Sequence, residues 1–187
     1  REFRMLLENI GRRKIFSWNT NKLIEKESRK ELSEAVVDLA RNRQGGIIVV
    51  AREDGLEDEA LSGDYIGEME IKKEFLTALM NNENETSKGA LIIRDDRIIA
   101  TNVKLPMLRN KALEDNGAGK RHVAGLGIVN ERDCAVIVLS AETGAISFMG
   151  KKDGKLVVSG KTEEVVGSES LEEVFLDSAN NSGEGEE

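Results

Sequence analysis

Several residue types are scarce in this chain of 187 residues, and each shortage excludes a class of protein. The single cysteine, Cys134, cannot form an internal disulfide, so the sequence predicts a cytosolic protein and not a disulfide-stapled secreted one. No apolar run approaches the roughly 20 residues of a membrane span, and no signal peptide is recognisable. Only one proline and one histidine occur, Pro106 and His122.

Charge is abundant, but it is unevenly distributed along the chain. The net charge is −8, yet residues 1–14 hold five basic side chains against two acidic ones, so the rest is more acidic than the total. An acidic body argues against a broad nucleic-acid surface. The basic start also has apolar residues at helical spacing, which predicts an amphipathic helix on an anionic membrane surface or one that continues from a membrane helix. A plain packing helix with a solvated basic end is the alternative.

Apolar periodicity predicts the order of helices and strands. Helices are expected at 25–43, 70–81, from near 122 to about 132, and 170–176. Strands are expected at 47–51, 90–93, 97–103, 134–139, 145–149 and 155–158, with a short extended piece at 64–66. Residues 52–63 are predicted to be an acidic loop, and hairpins are predicted to turn at 95–96 and 153–154. The pattern is typical of one α/β domain, at 19–177, with a mixed sheet flanked by helices, preceded by a helix and linker (1–18) and followed by a disordered acidic tail (178–187).

The most informative stretch is 116–127, which reads Asn-Gly-Ala-Gly-Lys-Arg-His-Val-Ala-Gly-Leu-Gly. A glycine turn at Gly119 leads into a helix with Lys120, Arg121 and His122 at its start. Free backbone N–H groups and the helix dipole favour phosphate at such a place. The spacing fits neither a P-loop nor the dinucleotide fingerprint. An ordinary loop with a surface arginine and a hydrogen-bonded histidine is the alternative.

A second polar cluster, Ser140 to Gly144, follows the strand at 134–139. A hydroxyl and a carboxylate at a strand end suit phosphate and a divalent metal, although a simple strand-ending turn has the same composition. Ligands of open α/β sheets lie beyond the carboxyl ends of strands, so residues 88–90, 119–122 and 140–144 are expected to converge there. Phosphoryl chemistry needs cations on the phosphates, a carboxylate on Mg²⁺ or Mn²⁺, and an imidazole near the metal or leaving group.

Together these motifs resemble the diadenylate cyclase domain of the membrane-anchored bacterial type, over about residues 1–165. The segments that carry the resemblance are 4–16, Gly45-Gly46-Ile47-Ile48-Val49-Val50, Gly63-Asp64-Tyr65-Ile66, Gly89-Ala90, Leu105-Pro106, Gly119-x-Arg121-His122 and Ser140-x-Glu142-Thr143-Gly144. The resemblance implies an enzyme that joins two ATP molecules into cyclic di-AMP and releases pyrophosphate, with Mn²⁺, Mg²⁺ or Co²⁺ as cofactor. It also implies a facing homodimer or a hetero-oligomer, and the cytoplasmic domain of a membrane-anchored protein.

The resemblance also implies roles for single residues. His122 and Glu142 would be the catalytic and metal-binding pair. ATP and its phosphates would be bound by Gly89, Ala90, Leu105 (in the adenine pocket), Gly119, Lys120, Arg121, Ser140 and Thr143.

Five positions depart from the family's motifs. Its Asp-Gly-Ala motif reads Lys88-Gly89-Ala90, and an ammonium can neither activate the attacking 3′-hydroxyl nor hold its metal. The other four substitutions are Lys120 for Thr, Val123 for Arg, Lys104 for the adenine-stacking Tyr and Ala141 for Glu. Three hypotheses follow: a cyclase that is weak or needs another subunit to supply the Asp, a non-catalytic nucleotide-binding or regulatory module in which added lysines hold an anion without metal, and a purely structural role at a membrane.

Overall fold

The structure of the protein, a computed structural model, describes residues 24–52, 56–81, 83, 88–106, 119–152 and 155–162. The expectations for residues 1–18, for a helix at 170–176 and for a tail at 178–187 lie outside the described residues, as does the turn at 153–154. None of the helices in the described part of the chain combines the length and the apolar character that crossing a membrane requires.

One mixed sheet of seven strands forms the centre of the domain. The strands are β1 (Gly46–Ala51), β2 (Asp64–Glu70), β3 (Ala90–Arg94), β4 (Arg97–Val103), β5 (Cys134–Leu139), β6 (Ile146–Lys152) and β7 (Lys155–Thr162). Their order in the sheet is β2-β4-β3-β1-β5-β6-β7. Only β1 and β3 pair in parallel, and every other neighbouring pair is antiparallel. The predicted α/β domain with a mixed sheet is therefore confirmed.

Helices cover both faces of the sheet. They are α1 (Lys26–Arg41), α2 (Glu57–Leu61), α3 (Lys73–Leu79) and α4 (Lys120–Glu131). In β1, Ile48 and Val50 face the core under α1 and α3, while Ile47 and Val49 face the core that includes α4. Because all six residues of β1 are buried, the strand reads as one continuous apolar run, as the sequence predicts.

The β3–β4 turn caps α1 from a distance. Asp95 and Asp96 have φ of 48° and 62°, the left-handed conformation that a tight hairpin turn requires. The carboxylate of Asp96 accepts the backbone N–H of Glu25 at 3.0 Å and the hydroxyl of Ser28 at 2.9 Å. A carboxylate thereby satisfies the amino-terminal end of α1, although Glu25 itself gives no side-chain cap.

The carboxyl-terminal end of α1 is closed by two backbone hydrogen bonds that reach back into its last turn. Gln44 N–H donates to Leu39 O at 2.8 Å and Arg43 N–H donates to Ala40 O at 3.0 Å, the pairing of a Schellman motif. Arg43 occupies the left-handed position, with φ of 52°. A side chain there costs on the order of 1–2 kcal/mol relative to glycine, which is the usual residue at this point.

Two local predictions are wrong. The acidic segment at 52–63, predicted as a loop, contains α2, because Leu56 and Ala60 are buried against the sheet while Glu57 and Asp58 are exposed. The helix predicted to begin at residue 70 begins at Lys73. Glu70 belongs to β2, which pairs with β4 as far as Arg97, so sheet pairing overrides the helical spacing.

Candidate phosphate-binding site

The two polar clusters singled out in the sequence meet at one rim of the sheet. They enclose a cavity of about 440 Å³ that is lined by Gly119, Lys120, Arg121, His122, Leu139, Ser140, Ala141 and Glu142. Helix α4 reaches this rim because Gly125 lets it lie close on the sheet. A Cβ at Gly125 would stand 2.9 Å from the sulfur of Met149 and 3.1 Å from Val138.

The sequence led us to expect a rim made of strand carboxyl ends, but the rim contains strand amino ends as well. Leu139, at the carboxyl end of β5, pairs with Gly46 at the amino end of β1, and Ala90 begins β3 beside Ile47. Val103, at the carboxyl end of β4, pairs with Ala90. Because most strands of this mixed sheet are antiparallel, amino and carboxyl ends alternate along the rim.

Three predicted nucleotide contacts lie farther along the same rim and do not line the cavity. Ala90 is two strands from Leu139, a separation of about 10 Å at the usual strand spacing. Gly89 lies against the backbone of β4, and Leu105 packs on the apolar cluster that contains Ala90. A role for Gly89, Ala90 and Leu105 in holding an adenine stays a prediction.

The amino terminus of α4 carries positive charge that no described side chain neutralises. Gly119 is the N-cap and supplies no side chain, and the first turn contains no acidic residue. Lys120 and Arg121 are exposed, and within the described residues neither side chain has an ion pair or hydrogen bond. In α1 the same place is filled by the carboxylate of Asp96. The end of α4 is therefore suited to an anion supplied from outside.

His122 is held in place by a residue that sequence reasoning missed. Its Nε2 lies 3.1 Å from the hydroxyl of Ser147, which is only 2% exposed on β6. The direction of the bond depends on the tautomer of the imidazole. Because Nε2 is engaged, the contact fixes the ring orientation at the cavity wall. The role of His122 as a metal ligand stays a prediction.

The loop after β5 is closed by its own hydrogen bonds. Gly144 N–H donates to Ser140 O at 3.0 Å, and Thr143 N–H donates to the Ser140 hydroxyl at 3.2 Å. The Thr143 hydroxyl accepts the N–H of Ala145 at 3.1 Å, and Thr143 does not line the cavity. Thr143 thus shapes the loop in this structure, while Ser140 and Glu142 face the cavity.

The donor atoms at the cavity fit a metal that is shared with a ligand. Among the described residues, no group of three or more His, Cys, Asp or Glu side chains could hold a metal ion. Among the described residues, Glu142 is the one carboxylate that lines the cavity, beside the Ser140 hydroxyl and the cations. Mg²⁺ and Mn²⁺ commonly bind through one or two carboxylates plus substrate phosphates, so this set fits such an ion but not a site built of protein ligands alone.

Two of the lysines that replace family residues lie along the same rim. Lys88 precedes Gly89 and Lys104 follows β4, and both are exposed. The Lys104 N–H donates to the hydroxyl of Ser62 at 3.3 Å. Neither lysine lines the cavity, so together with Lys120 they extend its positive charge along the sheet edge.

Comparisons with known proteins assign a family. Residues 33–156 match the DAC family model, described as DisA bacterial checkpoint controller nucleotide-binding. The chain is 31% identical to a diadenylate cyclase of Listeria monocytogenes over 167 residues, which cover 88% of this chain and 59% of that protein. It is 32% identical to the cyclic di-AMP synthase CdaS of Bacillus subtilis over 126 residues, covering 67% and 58%. The chain therefore spans somewhat more than half the length of these curated relatives.

Solved structures show the same relationship. DacA from Staphylococcus aureus, solved as a double mutant, has a TM-score of 0.69 and 29% identity, and the match covers 83% of this chain and 97% of the solved DacA chain. A hypothetical membrane spanning protein from Bacillus cereus has a TM-score of 0.63 and 26% identity, and the match covers 73% of this chain and 64% of that solved chain. The resemblance found in the motifs is confirmed at the level of family and fold.

Proposed function

The chain belongs to the diadenylate cyclase domain family, and on that premise we propose that its cavity binds the phosphates of ATP. The observation that carries the proposal is the meeting of Lys120 and Arg121, which have no ion-pair partner among the described residues, with Ser140 and Glu142 around one cavity. The uncapped first turn of α4 adds backbone N–H donors to the same place. Paired carboxylates or a capping side chain would occupy this space in a purely structural helix end.

Each side chain has a role that follows from its chemistry. Arg121 is suited to two parallel hydrogen bonds on phosphate oxygens, and Lys120 adds a point charge. Ser140 can donate its hydroxyl proton to a phosphate, and Glu142 would hold Mn²⁺, Mg²⁺ or Co²⁺ together with the phosphates. The bound ion would supply neutralisation of phosphate charge. His122, oriented by Ser147, faces the phosphates from the first turn of α4.

We propose synthesis of cyclic di-AMP as the reaction, at a rate limited by Lys88. Two ATP molecules in facing subunits would each direct a 3′-hydroxyl at the other's α-phosphate, forming two new phosphate ester bonds and releasing two pyrophosphates. Lys88 stands where the family motif has an Asp, and a lysine ammonium has no lone pair with which to take the hydroxyl proton. Loss of such a base costs about 10²–10⁴-fold.

An assay for cyclic di-AMP tests the reaction. With ATP and Mn²⁺, we expect slow product formation that rises by at least tenfold in Lys88→Asp. Lys30→Asp, on the exposed side of α1 and away from the rim, makes the same charge change as a control. If Lys88→Asp forms no more product than Lys30→Asp, the synthetic part of the proposal is wrong.

A second candidate is a regulatory module that binds an anionic nucleotide without metal. It is favoured by the exposed lysines along the rim and by the presence of a single carboxylate among the described residues of the cavity, because added cations bind phosphate while repelling Mg²⁺. Calorimetry with ATP in the presence of either Mn²⁺ or a chelator separates the two. Binding that needs Mn²⁺ supports the cyclase, binding that persists in chelator supports the module, and no binding contradicts both.

A facing dimer and attachment to a membrane complete the proposal. Sedimentation with and without ATP measures the dimer, and flotation with anionic vesicles measures attachment. Removing residues 1–14 is expected to abolish flotation and leave ATP binding unchanged.

A further inference from the structure

The turn that joins α1 to β1, residues 42–45, contacts both polar clusters that line the cavity. In the sequence, only Gly45 of this turn stands out, as part of the Gly45-Gly46 segment that carries the family resemblance. Two of its residues, Arg43 and Gly45, contact the α4 side and the loop side of the site. No metal or phosphate needs to be present for these contacts, which exist within the protein itself.

Arg43 contacts the loop side. Its guanidinium Nη1 donates a hydrogen bond to the backbone carbonyl of Glu142 at 2.9 Å, across a sequence separation of 99 residues. The backbone of Arg43 is left-handed, with φ of 52°, where glycine is preferred. Glycine would close α1 at least as well, but it could not reach Glu142. Arginine at this position therefore makes a side-chain hydrogen bond that glycine could not make.

Gly45 contacts both sides. A Cβ at Gly45 would stand 2.6 Å from Nη1 of Arg121, 2.8 Å from its Cζ and 2.8 Å from the methyl group of Ala141. The guanidinium of Arg121 therefore rests on the bare backbone of Gly45. Any side chain there would push the guanidinium away from its present place, or move the loop at Ala141.

We propose that the α1–β1 turn is a positioning element that sets the distance between the phosphate-binding cation Arg121 and the metal-binding loop at Glu142. Arg43 holds the main chain of Glu142, and Gly45 seats Arg121. The turn leads directly into β1 in the middle of the sheet. Both contacts are therefore held in place by a fully buried strand. The inference rests on the proposed function, since it assigns ligand binding to the two groups that the turn positions.

Arg43→Gly separates positioning from helix capping. Glycine suits the left-handed position, so the melting temperature should stay the same or rise. The lost hydrogen bond to Glu142 should weaken ATP binding by about 3- to 10-fold, measured by calorimetry with Mn²⁺. Arg41→Ala is the control, because it removes the same charge from the exposed end of α1 two residues earlier. Gly45→Ala should weaken ATP binding by about 3- to 10-fold, less than removal of Arg121 does, because the flexible end of the Arg121 side chain must shift from its place.

Amide hydrogen exchange without ligand tests the contact independently of ATP. In Arg43→Gly, we expect faster exchange at Thr143, Gly144 and Ala145, whose N–H groups hold the loop closed, and no change in β1. If wild-type protein binds no ATP but the exchange result holds, the proposed function fails and the positioning contact stands. If Arg43→Gly matches Arg41→Ala in both exchange and ATP affinity, the inference is overturned. A lower melting temperature with unchanged loop exchange overturns it too, because Arg43 would then serve only the helix end.

Discussion

Basic side chains lie at both ends of α4, but they have protein partners at one end and none among the described residues at the other. At the carboxyl-terminal end, Arg132 donates to the carboxylate of Glu59 at 2.6 Å, and the ammonium of Lys151 donates to the carbonyl of Asn130 at 2.8 Å. At the amino-terminal end, Lys120 and Arg121 have no such partner within the described residues. Cations at a helix amino terminus also oppose the dipole, at a cost of a few tenths of a kcal/mol. The closed end contributes to stability, and the open end is arranged for a ligand.

The largest expected effect concerns Cys134, which lies just beyond the closed end. Burial of the thiol, with a smaller contribution from the charge of Asp133, raises its pKa from 9.0 to about 12. At pH 8 the thiolate fraction should therefore be about 10³-fold lower than in unfolded chain, and alkylation by iodoacetamide correspondingly slower. Mass spectrometry of native and urea-unfolded protein measures this. Equal alkylation rates would show that the closed end opens readily.

The same pKa shift gives a direction for stability. The folded protein keeps the thiol proton up to about pH 12, whereas the unfolded chain releases it near 9. The free energy of unfolding should be unaffected by this group below pH 9 and should fall as pH rises from 9 towards 12. Cys134→Ala should lose this part of the pH dependence, which denaturant titrations at several pH values would measure.

The next effect concerns the open end. Arg121→Ala should weaken ATP binding by about 10- to 100-fold, the usual range for hydrogen bonds to a charged group, with little change in stability. Arg121→Lys should lie between, because lysine keeps the charge without the two parallel donors. Calorimetry and thermal melting measure the two quantities. Full ATP affinity in Arg121→Ala would show that Arg121, at the open end of α4, does not bind ATP.

Arg132→Ala should show the reverse pattern. It leaves the Glu59 carboxylate, whose side chain is 12% exposed, without its cation, and Oε2 of that carboxylate already has no hydrogen-bond partner in the described part of the chain. Allowing for the partial exposure of Arg132, we expect a loss of about 1–2 kcal/mol in the free energy of unfolding and unchanged ATP affinity. Arg97→Ala breaks an exposed pair with Glu70 and should cost less than about 0.5 kcal/mol. If the two variants lose the same stability, the closed end contributes nothing particular.

The smallest effect is expected for Ser147→Ala. It removes the hydroxyl that holds His122, leaves the buried position apolar, and should change stability by about 1 kcal/mol or less. Without that contact the imidazole should lose its fixed orientation, so the NMR signals of the His122 ring should shift while those of the cavity walls stay in place. Unchanged ring signals would show that Ser147 does not orient the ring.

Local signals predicted the parts of the fold that have local causes. The start of α4 follows from a glycine before a run of helical apolar spacing, and the β3–β4 turn follows from two adjacent aspartates between apolar strands. The prediction of a loop at 52–63 was wrong because α2 is so short that two buried residues, Leu56 and Ala60, produce no recognisable helical periodicity. The predicted start of α3 was wrong because the pairing of β2 with β4 is a long-range contact that residue spacing does not encode.

The site could be predicted as two clusters but not as an assembly. Lys120, Arg121, Ser140 and Glu142 stand out by composition beside a glycine or a strand end. The contacts that position them do not, because the partners of Arg43 and Gly45 lie 76 to 99 residues farther along the chain. Ser147 left only a weak signal, one hydroxyl within an apolar strand.

Helix α1 is completed at both ends by residues made much later in synthesis. Its first turn needs the carboxylate of Asp96, and the arginine that closes its last turn finds its acceptor at Glu142. The backbone bonds of Arg43 and Gln44 close the end of the helix without Glu142, so α1 can form before that residue is made. Because distant contacts carry a larger loop-closure cost, the contact between the β5–β6 loop and the end of α1 should form after the helix itself.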